Sequence, residues 1–259
     1  MPEPILLLRL EGPLQSWGIR SRWSRRDTGP EPTKSAITGL LGCAAGIRRP
    51  DWRSDKEPDR TLEEWDRALR FGVRTDRPGI IERDHHAVPG RHSQADEKMK
   101  MASAPSGKKS EKAVREPPHT EVTWRHYLHD AAFLVALGSD DSRLLQILRG
   151  HLLNPKWPLY LGRKACVPSC PVLAKLTDEY RDLEHALRSE PWSAPRSRRV
   201  RRALKAEKSP KLEAWIECPN GEYERQDALR LNQLRFYDFR RCRRLEPDID
   251  TARIAWRLI

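Results

Sequence analysis

The sequence lacks any run of eighteen apolar residues, and its opening stretch "MPEPILLLRLEGP" breaks after a few apolar positions with charges among them. A helix needs about twenty predominantly apolar residues to cross a bilayer. Neither a membrane span nor a signal peptide is therefore expected, and the chain is assigned to the cytoplasm. Cysteine is scarce. Cys43, Cys166, Cys170, Cys218 and Cys242 are odd in number and scattered, which fits free thiols in a reducing compartment better than a disulfide framework. Also missing are a glycine-rich phosphate loop, a nucleophile elbow and carboxylates clustered for magnesium.

Positive charge is what the chain has in excess. Its 259 residues include 49 Lys and Arg against 37 Asp and Glu, a net charge of +12. Such a balance favours a polyanionic partner, because each cation that neutralises a phosphate releases a condensed counterion. Hydrophobic residues make up 37% and charged residues 33%, enough apolar material for one elaborated domain or two modest ones.

The run "PILLLRL" (residues 4–10) reads as a strand closed by "EGP". In "PTKSAITGLLGCAAGI" (32–47), Ile37, Leu40, Leu41, Ala44 and Ala45 recur at helical spacing, with Pro32 and Thr33 where a helix would start. "TLEEWDRALR" (61–70) opens on a Thr61-x-x-Glu64 capping box and leads into the strand-like "FGVRTD". From 84 to 118 periodicity dissolves, as in a loop. "EVTWRHYL" and "AAFLVALG" read as strands, "SDDSRLLQILRG" (139–150) as a helix ended by Gly150, and "WPLYLG" (157–162) as a last short strand. That order, β, α, β, loop, β, α, β, is the order of a ferredoxin-like or RNA-recognition-motif sandwich in the α+β class. The module's usual aromatic RNA-stacking signature is absent.

Beyond residue 170, Leu173, Leu176, Tyr180, Leu183 and Leu187 form a helical stripe. The basic run "RSRRVRRALKAEK" (196–208) follows, then a Pro-Asn-Gly turn between two strand candidates and a final arginine cluster. The expected division is a core over 1–170 and a small C-terminal extension over 171–259.

Three constellations carry chemistry. In "LEGPLQSWGIRSRWSRR" (10–26), Gln15 and Trp17 are suited to bond to or stack on an unpaired base. Arg20, Arg22, Arg25 and Arg26 are suited to phosphates; a core position for Trp17 is equally open. Lys34 and Ser35 lie in a first helical turn, whose free amides attract phosphate. In "LYLGRKACVPSCP" (159–171), Arg163 and Lys164 follow a glycine that permits close backbone approach. Cys166, Cys170 and His151 are permissively spaced for zinc, but nothing completes four ligands, and no metal or other cofactor is expected. Six of the eight histidines lie between His85 and His129. His85, His86, His92, His119, His126 and His129, with Tyr127 and Lys98, are raw material for metal-independent RNA cleavage. In the "WRHYLH" run, alternation puts Arg125 and Tyr127 on one face and Trp124 with His126 on the other.

"LLLRLEGPLQSWG", "PTKSAITGLLGCAAGI" and "LYLGRKACVP" together resemble the CasD family, the small backbone subunit of type I-E CRISPR Cascade. The likeness spans roughly residues 4–170 and thins beyond 175. It implies a ferredoxin-like core with a protruding hairpin or thumb, here over 81–127. It also implies a non-catalytic antiviral role in a ribonucleoprotein complex. The partners implied are the 5′ handle of the crRNA, the repeated backbone subunits, the large target-reading subunit and, indirectly, target DNA. The handle surface would use Gln15, Trp17, Arg20, Arg22, Lys34, Ser35, Arg163 and Lys164, with Arg125 on an RNA-facing strand. The alternative is a metal-independent endoribonuclease acting on CRISPR repeat RNA.

Overall fold

The computed structural model describes residues 3–19, 22, 24–48, 61–89, 120–192, 212–230 and 236–247. Arg20, the stretch 90–119 with His92, Lys98 and His119, and the basic run 196–208 lie outside the described residues. The strands are β1 (Ile5–Glu11), β2 (Leu14–Gln15), β3 (Arg25–Arg26), β4 (Arg70–Arg77), β5 (Ile80–Pro89), β6 (Thr120–His129), β7 (Ala132–Gly138), β8 (Leu173–Thr177), β9 (Glu213–Glu217), β10 (Tyr223–Arg230) and β11 (Phe236–Leu245). The helices are α1 (Lys34–Ala45), α2 (Thr61–Ala68), α3 (Ser142–Leu153) and α4 (Leu183–Ser189).

The principal sheet runs β10-β11-β9-β4-β7-β1-β8 and is antiparallel throughout. β1 is buried along six of its seven residues, because it is covered on both faces. Leu6, Leu8 and Leu10 join the core built with α1 and α3, while Ile5 and Leu7 pack with Leu183, Ala186 and Leu187 of α4. Such two-sided burial explains why the strand reads as an unbroken apolar run rather than an alternating one. The Thr33 side chain caps α1 at the Ala36 amide, and Gly46 closes the helix in the left-handed region at φ 73°. No helix among the described residues is long and apolar enough to cross a membrane.

Four sequence expectations need correction. Residues 157–162 form no strand; the fourth strand of the core is β8, which pairs with β1 from Ile5↔Thr177 onward. The stripe from Leu173 to Leu187 is therefore split into strand, turn and short helix, since the edge of β1 supplies backbone partners that local periodicity cannot announce. Helix α3 does not stop at Gly150 but runs on to Leu153, its last turn anchored by buried Leu152. The boundary at residue 170 falls inside one sheet, to which β8, β9, β10 and β11 all belong, so 171–259 is not a separate extension. The Pro-Asn-Gly turn does stand between two strands, β9 and β10, and these are not paired with each other because β11 lies between.

The β9–β11 strands are fastened to the helices by buried charge. Asp227 of β10 accepts from the Lys34 amide at 2.9 Å and takes both arms of Arg240, at 2.6 and 2.9 Å. Lys34 Nζ reaches Glu217 at 2.9 Å. Asp66 of α2 accepts from the Thr38 hydroxyl at 2.6 Å and from the Leu229 amide at 2.9 Å. Burial raises the Asp66 carboxyl above its ordinary value, against the pull of Lys34 and the Thr38 hydroxyl. On the opposite face, fully buried Arg74 binds Asp76 at 2.6 Å and the Leu187 and Glu190 carbonyls at 2.7 and 2.8 Å. Glu190 itself holds the Tyr180 hydroxyl at 2.6 Å, Lys175 at 3.0 Å and Arg9 at 3.2 Å.

Two predictions follow from these clusters. Asp227→Ala leaves the Arg240 guanidinium buried and unpartnered, and a urea titration will read a loss of about 3–5 kcal/mol. Burial alone would raise the Glu190 carboxyl, but the Tyr180 hydroxyl, Lys175 and Arg9 outweigh it and hold the group below its usual value. A carboxyl depressed by folding contributes stability above its unfolded value, and that stability is lost as pH falls through the folded one. The urea midpoint will therefore fall as pH drops below the ordinary glutamate value of 4.5, and Glu190→Gln will flatten that limb.

Candidate nucleic-acid interface

The chain leaving β1 is bolted down before it becomes a loop. Gln15 is fully buried; its Nε2 donates to the carbonyls of Leu10 at 3.0 Å and Ala131 at 2.8 Å, and its Oε1 accepts from Trp17 Nε1 at 3.1 Å. Trp17 is 0% exposed and sits in the main core. Its ring has no open face for a base, and the core position left open by the sequence is the one it occupies. Gly162 likewise makes its close approach within the protein. At φ +91° it lies so near the Ser16 carbonyl that a Cβ would come within 1.8 Å of that oxygen, and the neighbouring Leu161 carbonyl accepts from the Ser16 amide at 3.1 Å.

The helix start expected to draw a phosphate is already filled. Lys34 is 4% exposed, its amide is capped by Asp227 and its ammonium is paired with Glu217. Ser35 is half-buried, its hydroxyl 3.4 Å from that of Thr33. An internal carboxylate thus supplies the anion that a helix N-terminus favours.

What does lie open is the next stretch of the segment. Arg22, Arg25 and Arg26 are exposed. Arg25 and Arg26 form β3, which runs parallel to β6 opposite Trp124 and Arg125. Arg163 holds this strand in place. Its guanidinium donates to the His126 carbonyl at 3.2 Å and the Arg26 carbonyl at 3.0 Å, and lies 4.7 Å from the centre of the Tyr127 ring. Arg163 is therefore a half-buried brace, while Lys164 beside it is exposed. Arg125 is also half-buried, its Nε without a hydrogen-bond partner among the described residues.

β5 and β6 pair from Ile80↔His129 to Pro89↔Thr120, and β2 and β3 also join β6. One face of the hairpin carries a stack that the sequence reading missed. Arg83 lies 4.2 Å from the centre of the Trp124 ring, His85 is tilted against the same ring at 4.7 Å, and Trp124 remains 37% exposed. Pairing "ERDHH" with "TWRHYLH" as a hairpin would have brought these three together. Between the hairpin and the basic loop lies a groove of about 420 Å³ lined by Ile19, Arg25, Asp27, Thr28, Ile81 and His126. Of these, Ile19, Asp27, Thr28 and Ile81 carried no sequence signal of their own. Among the described residues no three His, Cys, Asp or Glu side chains converge as a metal site, and burial pushes the Cys166 thiol up.

The arrangement offers phosphates an arginine strand beside a partly exposed indole that Arg83 and His85 already stack on, on a frame rooted in the core. The family model described as "CRISPR-associated protein (Cas_Cas5)" matches residues 5–235. The chain belongs to the Cas5 family of CRISPR-associated proteins. Over 171 residues this Cas5 chain is 34% identical to the CRISPR system Cascade subunit CasD of Escherichia coli (strain K12), a match covering 62% of the chain and 66% of that protein. The aligned part thus spans just under two thirds of the relative's length. Two solved structures are similar across nearly all of the Cas5 chain. One, in a CRISPR RNA-guided surveillance complex, has a TM-score of 0.68 at 27% identity, covering 97% of this chain and 93% of that one. The other, a crystal structure of a Cas protein, has a TM-score of 0.56 at 31% identity, covering 96% and 97%.

Arg163→Ala will release β3, so trypsin will cut faster after Arg25 and Arg26 in the folded protein. Arg163→Lys will not restore protection, since an ammonium cannot span two carbonyls as a guanidinium fork does. Trp17→Ala will remove about 3–5 kcal/mol of stability, read by chemical denaturation.

Proposed function

We propose that this chain is a non-catalytic RNA-binding subunit of a Cascade-type surveillance complex serving antiviral defence in the cytoplasm. In this reading it holds the 5′ handle of the crRNA, caps the filament of repeated backbone subunits and abuts the large target-reading subunit. The observation that carries it is the exposed strand of Arg25 and Arg26, flanked by Arg22 and laid along β6 beside the partly exposed Trp124. Successive cations along a strand match successive phosphates, and the exposed part of an indole accepts a base. Similarity to a Cascade subunit and to a chain of an RNA-guided surveillance complex supports the same assignment.

The core we infer to be ferredoxin-like. The strand order β4-β7-β1-β8, with α1 and α3 packed on one face, supports that topology. The other face packs against α4 in place of the base-stacking aromatics of an RNA-recognition motif. RNA is then left to the loop and to the hairpin, which in this reading is the thumb.

A second reading has its own observation. His126 Nδ1, buried and forming no hydrogen bond, lies 3.1 Å from Asp27 Oδ1 beside the groove, and a histidine near a carboxylate is the raw material of proton transfer in metal-free RNA cleavage. End-labelled repeat RNA incubated with the protein in EDTA separates the two readings. Retention on a filter with intact RNA on a denaturing gel is expected; a specific cut overturns the architectural reading. Arg22→Ala and Arg26→Ala will each lower the slope of log affinity against log salt by about 0.7, and an unchanged slope removes that residue from the phosphate surface.

A further inference from the structure

We propose that the groove between the basic loop and the hairpin receives one unstacked nucleobase of the bound strand, and that Asp27 selects a base with a donor-bearing edge. The inference rests on the single-stranded RNA reading above and assigns a specificity residue within it. The groove's frame is fixed. The Trp17 amide donates to the Thr28 hydroxyl at 2.8 Å and the Gly29 amide to the Trp17 carbonyl at 2.5 Å, closing the loop at its neck. Ile19 on one arm and Ile81 on β5 supply apolar walls although both are more than half exposed, at 61% and 52%. Its volume of about 420 Å³ falls in the range of about 300–1,000 Å³ common to small-molecule sites.

Asp27 is the anomaly in this setting. A carboxylate following Arg20, Arg22, Arg25 and Arg26 repels the phosphates that those arginines attract, so simple backbone binding gains nothing from it. Its Oδ1 accepts from Arg25 Nε at 3.0 Å and lies 3.1 Å from His126 Nδ1, so a cation and an imidazole draw it to this side of the groove. Oδ2 accepts no hydrogen bond among the described residues. A carboxylate held this way reads hydrogen-bond donors. Guanine presents two adjacent ones, the ring N1–H and the exocyclic amine; cytosine and adenine present one amine each. Uracil flanks its single N–H with two carbonyls, which the carboxylate repels. The expected order is guanine first, cytosine and adenine next, uracil last, with Arg25 at the wall placed for the adjoining phosphate.

The test is fluorescence anisotropy of the full chain with short labelled oligouridines, either plain or carrying one central guanosine, cytidine or adenosine. The guanosine-bearing strand is expected to bind about fivefold or more tighter than plain oligouridine. Asp27→Asn will bring that ratio to within about twofold, whatever the removed charge does to affinity as a whole. Ile81→Ser, at an exposed position, will shrink the ratio without lowering the melting temperature, and so answers any objection that Asp27→Asn merely loosens the loop. Plain oligouridine bound in a salt-dependent way but with no base preference overturns the pocket and leaves the RNA grip standing. A guanosine preference that survives Asp27→Asn also overturns it. No binding of any strand at low salt overturns the grip and the pocket together.

Discussion

Asp227 is the anchor on which the two ends of the sequence depend. Its carboxylate meets the Lys34 amide at the head of α1 and both arms of Arg240, and the Lys34 ammonium continues to Glu217. Each partner would be expensive to bury alone, and together they satisfy one another. The cluster draws β10 and β11 onto the helices and turns what would be an appended hairpin into the far edge of a single sheet. It also neutralises from within a helix terminus that would otherwise attract an anion.

The candidate interface divides its labour between rooted and open residues. Gln15 and Trp17 are committed to the core, Gly162 to a contact that tolerates no Cβ, and Arg163 to carbonyls. They hold the arginine strand against the hairpin, so that its exposed cations stand on a surface with little freedom left to lose. Preorganisation of that kind raises affinity by reducing the ordering that binding demands.

Sequence pattern revealed what is determined locally. The apolar run of β1, the start of α1 at Thr33 and the placing of the arginines at 22, 25 and 26 in a loop off β1 were all readable because their causes lie within a few residues. The errors lie where partners are distant. Leu173 and Leu176 fit a helical stripe until β1, more than 160 positions earlier, offers its edge. Gln15 looks like a base reader until the Ala131 carbonyl claims it. Lys34 looks like a phosphate ligand until Glu217 and Asp227 arrive from the other end of the chain. Asp27 and Ile81 were invisible for a related reason, since a groove formed between two segments has no signature in either one.

The amide that Asp66 takes from Leu229 bears on how this protein meets its neighbours. An outermost strand with free amides is a template on which another chain can continue the sheet. At β10 that invitation is withdrawn by a carboxylate reaching out from α2, with α1 and α2 packed alongside. Growth of the sheet by strand addition at this end would have to displace that carboxylate from the Leu229 amide.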